Sequence, residues 1–127
     1  MISQSRDLNW RGFLGLNEPE EKAVVRQVIK RNGALEKYNR WKIAAAISNA
    51  VVAVRGEEDK KLVETLTDRV EARLIGFMEN RHPNSAPAIE EIQDIVETIL
   101  VESGEVSIAK AYIIYRARHE VIRDTRK

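Results

Sequence analysis

From Arg40 onward, apolar residues recur at three- and four-residue spacing with charged residues between them, the period of an amphipathic helix. Ile43, Ile47, Ala50, Val51 and Val54 define a first helix over about 40–55. Gly56 stops it, because its freedom at positive φ suits the position just past a helix end. Leu62, Val63, Leu66, Val70, Leu74 and Phe77 define a second helix over about 58–80. Its other face, with Glu64, Asp68, Arg69, Glu71 and Arg73, reads as solvated. Pro83 and Pro87 forbid a continuous helix over 82–87, so this is a loop, and His82 is a loop histidine rather than a metal ligand. A third helix starts near Ala88, carries Ile92, Ile95, Val96 and Ile99 inward, and ends at Ser103-Gly104. A fourth, over about 106–124, sets Ile108, Ala111, Tyr112 and Tyr115 on one stripe, with Lys110, Arg116 and Arg118 beside it.

Upstream of the helices the period changes. Two β-prone runs, Val24 to Lys30 and Leu35 to Tyr38, flank Asn32-Gly33, residues that tolerate positive φ. That combination predicts a β-hairpin. Residues 1–22 carry Trp10, Phe13, Leu14 and Leu16 among polar residues, with Gly12, Gly15 and Pro19 breaking any long pattern. They are expected to be an N-terminal leader or linker, or a short apolar element that docks on the domain or on an adjoining one. Residues 23–127 then form one domain, mainly α, of four helices capped by a small hairpin.

Composition narrows the function classes. A chain of 127 residues, 43% hydrophobic and 32% charged, suits a single folded core. No run is apolar enough to cross a bilayer, and the N-terminus has no signal-peptide pattern, so a cytoplasmic location is expected. The net charge of +1 gives no bulk attraction to nucleic acid or anionic membrane. An anion site must therefore be local. Zero cysteines exclude disulfides, thiol chemistry and cysteine-ligated zinc.

Local cations do converge. Lys30 and Arg31 lie beside the Asn32-Gly33 turn, Asn39 is a good N-cap, and Lys42 falls three residues inside the first helix. A helix start with free N–H groups and nearby cations makes a phosphate pocket. A solvated hairpin tip is the bland alternative.

The wider pattern resembles the ATP-cone, the small regulatory nucleotide-binding domain found mainly at the N-terminus of ribonucleotide reductases. The matching features are Val28-x-Lys30-Arg31-Asn32-Gly33, Glu36-x-Tyr38-Asn39-x-x-Lys42-Ile43, Glu91 to Glu97, and Ala109-Lys110-Ala111-Tyr112-Ile113-Ile114-Tyr115-Arg116. They run in order over roughly residues 24–123. The resemblance implies that Lys30, Arg31, Lys42 and Arg118 meet a triphosphate, with Arg118 standing where Lys is more usual. It implies that Glu36 and Asn39 read the adenine edge, that Val28 and Ile29 wall the base, and that Gln93 lies near the ribose, where ATP and dATP differ.

Reductases of this kind act through a cysteine thiyl radical, so a chain without cysteine is expected to carry regulation and no catalysis. Neither a G-x-x-x-x-G-K-[ST] loop nor a metal-organising acidic pair beside Lys30 and Arg31 points to hydrolysis. ATP or dATP is thus expected as an effector, with Mg2+ carried by its phosphates. The expected partners are adenine nucleotides, a reductase catalytic domain or subunit of adenosylcobalamin-dependent or anaerobic type, and further copies of the chain. The alternatives are a nucleic-acid-binding module using the same basic residues on phosphates, or a purely structural helical adaptor.

Overall fold

The first two helices begin where a side chain accepts an N–H of the opening turn, and the first ends at a glycine that lets the chain turn. A computed structural model describes residues 25–82 and 84–126, with side chains as far as residue 120. Two strands, β1 (Gln27–Ile29) and β2 (Leu35–Lys37), precede helices α1 (Arg40–Arg55), α2 (Lys60–Glu79), α3 (Ile89–Glu102) and α4 (Val106–Arg126). Asn39, in extended backbone, accepts from the Trp41 N–H and starts α1; Gly56, at φ 82°, ends it by donating to the Val52 carbonyl. Asp59 accepts from the Leu62 N–H, which sets the start of α2 at Lys60 rather than near residue 58. Glu91 reaches back to accept from the Ala88 N–H at the start of α3.

The four helices close into a ring, α1 against α2 and α4, and α3 against α2 and α4. Ile47, Val51, Leu66, Val70, Leu74, Val96, Ile99, Leu100 and Ile108 fill its centre and are almost wholly buried. The apolar stripes predicted from spacing supply most of this core. Two of their members are exposed, Val54 at 41% and Phe77 at 38%. Both lie in the last turns of their helices, where burial fades, and the Phe77 ring is covered instead by the Arg81 guanidinium at 5.1 Å. Thr67, Leu100 and Ala109 are buried without having been picked out by the spacing. Thr67 is the polar exception, buried with its hydroxyl unpartnered among the described residues. None of the described helices is long and apolar enough to cross a membrane.

The hairpin pairs Gln27 with Lys37, Val28 with Glu36, and Ile29 with Leu35, antiparallel. Its strands are shorter than the β-prone runs. At one end the Lys30 N–H turns to the Ala34 carbonyl and the Gly33 N–H to the Lys30 carbonyl, closing the turn with Gly33 at φ 89°. At the other, one further bond runs from the Tyr38 N–H to the Arg26 carbonyl. Val28 is the one member of the two strands that enters the core, at 7% exposure. A backbone bond from the Ile29 N–H to the Pro87 carbonyl, 2.9 Å, ties β1 to the loop before α3, alongside a parallel bridge to Ala88. The expected leader, with Trp10 and Phe13, lies outside the described residues.

Candidate nucleotide site under the hairpin

The hairpin lies where α1 and α3 begin and where the later turns of α4 reach. On its α1 side, Glu36 projects from β2, and Lys42, from the first turn of α1, donates to its carboxylate. Asn39 accepts the Trp41 N–H with its side-chain oxygen at 2.9 Å. The oxygen is thus engaged by the helix, and the NH2 is the group that Asn39 can offer elsewhere. A donor from Asn39 and an acceptor from Glu36 therefore sit close together in sequence at one edge of the site. Trp41, between them and Lys42, is 69% exposed, with the Arg40 guanidinium 5.5 Å from its ring.

On the α3 and α4 side, Arg31 reaches across from the turn. Its NH1 donates to Glu90 Oε2 at 2.9 Å, and NH2 lies 3.8 Å from Glu120 Oε1. The other oxygen of Glu120 lies 3.5 Å from Arg116 Nε, and Arg116 NH1 donates to Asp94 at 2.9 Å and Glu97 at 2.8 Å. Burial works against the charge of Arg116, but its hydrogen bonds to Asp94 and Glu97 outweigh it and hold the guanidinium above its ordinary pKa. Gln93, half-buried, is three residues after Glu90 and four before Glu97, so all three share one face of α3.

Comparison with known proteins bears on what such a corner is for. The ATP cone domain matches residues 26–121, from the start of the hairpin to the later turns of α4. This chain belongs to the ATP cone domain family. A vitamin B12-dependent ribonucleoside-diphosphate reductase of Thermoplasma acidophilum is 34% identical over 109 residues, which is 82% of this chain and 13% of that protein. The ribonucleoside-diphosphate reductase subunits alpha of Chlamydia pneumoniae and Chlamydia muridarum are 35% and 36% identical over 92 and 107 residues, covering 70% and 78% of this chain. The cone spans about a tenth of the length of these relatives, between 9% and 13%.

Within the cone, the residues singled out from sequence fall into two groups. Val28 faces Glu36 across the hairpin and Glu36 meets Lys42 beside the N-cap Asn39, while Ile29, Lys30 and Arg31 lie toward the turn at the other end of the strands. Gln93 lies one turn after Glu90, the partner of Arg31, on the same face of α3. Arg118, exposed on α4, is two residues from both Arg116 and Glu120. At about 100° per residue it lies about 200° round the helix from each. It therefore sits apart from the cluster that Arg116 organises with α3.

The carboxylates that hold the cations are what sequence reasoning missed. Glu97 entered only as the end of the Glu91 to Glu97 motif and Glu90 and Glu120 not at all, and only the fold aligns them with Arg31 and Arg116. A second such cluster braces the segment between β2 and α1. The Tyr38 hydroxyl donates to Glu71 at 2.6 Å, while Arg40 reaches Asp68 at 2.6 Å and Glu71 at 3.2 Å. Burial, then the bond and charge of Glu71, push the Tyr38 hydroxyl well above its ordinary pKa, opposed by Arg40. Two surface clefts lie elsewhere. One, about 230 Å³, is lined by Val25, Tyr38, Glu71, Leu74 and Ile75; the other, about 420 Å³, lies between α2 and α3 around Phe77 and Ile99. The predicted site residues line neither cleft, although Tyr38, next to Asn39, lines the smaller one.

Proposed function

We propose that this cone binds ATP and dATP as allosteric effectors and thereby controls ribonucleotide reduction by the reductase it belongs to or works with. The supporting observation is that residues 26–121 match the ATP cone domain and that, within this region, Lys42 pairs with Glu36 beside the N-cap Asn39 while Lys30 and Arg31 stand at the turn of the same hairpin. Backbone N–H groups at a helix start and flexible cations are the two means by which proteins hold a triphosphate. Glu36 accepts from the adenine amine and the Asn39 amide donates to a ring nitrogen, while Val28 and Ile29 flank the base. Gln93 faces the ribose, and the phosphates are left to Lys30, Arg31 and Lys42, since Arg118 lies on the other side of α4 from Glu120. Among the described residues no group of three or more histidines, cysteines or acids is arranged to hold a metal ion. In this reading Mg2+ arrives with the triphosphate, coordinated by phosphate oxygens and water.

A module that only binds regulates by favouring one of two arrangements. In this reading ATP and dATP differ in the self-association, or the docking on the catalytic body, that they favour. Calorimetry with ATP, dATP, GTP and CTP tests the first part. Adenine nucleotides should bind best, and Lys42→Ala should weaken them by about 1–3 kcal/mol, roughly ten- to a hundredfold, as for a lost charge-assisted bond. Equal affinity for all four bases, or unchanged affinity in Lys42→Ala with native circular dichroism, sinks the assignment. Light scattering with ATP and with dATP tests the second: identical masses and identical affinity for the catalytic body would remove the regulatory part.

A further inference from the structure

Arg31 is the cation nearest the turn, and it is already taken. Glu90 on α3 and Glu120 on α4 each engage one of its terminal nitrogens, at 2.9 and 3.8 Å. Glu120 is shared with Arg116, which holds Asp94 and Glu97 as well. The connected cluster therefore sets two guanidinium groups against four carboxylates, a net charge of minus two. A triphosphate brings about four negative charges, so it meets a repulsive surface on this side of the hairpin unless Arg31 changes partners.

We propose that Glu90 and Glu120 are built-in counter-ligands of the phosphate site: they hold Arg31 while no nucleotide is bound and yield it to the phosphates, so that they set the affinity. This rests on the reading of the corner as a nucleotide site. The exchange is physically easy. Arg31, Glu90 and Glu120 keep 31%, 39% and 31% of their side-chain surface exposed, so water can replace either partner as the guanidinium turns away. The carboxylates also keep Arg31 extended toward α3 and α4, a pre-set arrangement of a side chain that would otherwise sample many rotamers. Glu90 is the stronger holder, because its contact is a direct hydrogen bond and Glu120 divides itself between two arginines.

The test uses the full chain and two probes, inorganic tripolyphosphate and MgATP, titrated calorimetrically into wild type, Glu90→Gln, Arg31→Ala and the double variant. Competition between partly exposed ions is worth a modest factor. Glu90→Gln should bind both probes about two- to fivefold more tightly, and Glu120→Gln should show a smaller gain. Arg31→Ala should bind both less tightly, and adding Glu90→Gln to it should restore nothing. Unchanged or weaker binding by Glu90→Gln overturns the inference while leaving the nucleotide reading intact. An equal gain with and without Arg31 also overturns it, since that would mark plain repulsion by Glu90 with no exchange at Arg31. If wild type binds neither probe, both readings fail together.

Discussion

The ring of helices and the hairpin corner are held by different physics. In the ring, Ile47, Val51, Leu66, Val70, Leu74, Ile99, Leu100 and Ile108 bury almost all their surface, and close packing of apolar groups leaves few alternative arrangements. In the corner, two three-residue strands contribute one core residue, Val28, and the remaining ties are a few backbone bonds and partly exposed ion pairs. Non-directional burial makes the ring stable and unresponsive. Directional pairs, each of small net worth, make the corner able to change partners when a competing ion arrives.

The largest expected effect therefore belongs to the ring. Leu74→Ala removes a side chain that is 1% exposed, and should cost about 2–5 kcal/mol in urea unfolding. A cost below 1 kcal/mol would mean that the ring is as adaptable as the corner, and the contrast would be lost. An intermediate effect is expected at the turn. Gly33 has φ 89° with open space around its Cβ position, so Gly33→Ala meets backbone strain and no clash. The strain should cost about 1–2 kcal/mol. Because the strain is in the hairpin, ATP affinity should fall while the ring's cooperative unfolding persists, seen by comparing calorimetry with urea melts.

The smallest effect is a pH dependence. Tyr38 and Tyr112 both have folded-state pKa values raised above the ordinary 10.0, chiefly by burial. A raised value means that the folded state keeps a proton the unfolded chain gives up. The stabilisation is complete below pH 10 and declines as pH rises above it. Tyr38→Phe should flatten part of this decline, measured as urea midpoints between pH 8 and about 11. The same slope in variant and wild type would show that Tyr38 is not held as described.

The helices were legible in the sequence because their signals are local. Asn39 and Gly56 bracket α1, and Ser103-Gly104 ends α3. Periodicity located the stripes but not how far along a helix burial continues, which is why Val54 and Phe77 were placed inside. The start of α2 moved because Asp59, not the residues before it, caps the helix. The hairpin and its cations were legible from Asn32-Gly33 and from motif order. Their partners were not. Glu90 is 59 residues from Arg31 in sequence, and Glu71 is 33 from Tyr38. An acid on a solvated helix face carries no local sign of the cation that folding brings to it.

The bond from Ile29 to the Pro87 carbonyl has a mechanical meaning. β2 runs through Tyr38 and Asn39 directly into α1, while β1 is fastened by its own backbone to the loop that leads into α3. Pro87 itself is fully buried and gives that fastening a firm seat. The hairpin is thus a lever with one arm in each of two helices on different sides of the ring. A displacement of the hairpin that leaves this bond intact therefore has a backbone route to the start of α1 and another to the start of α3.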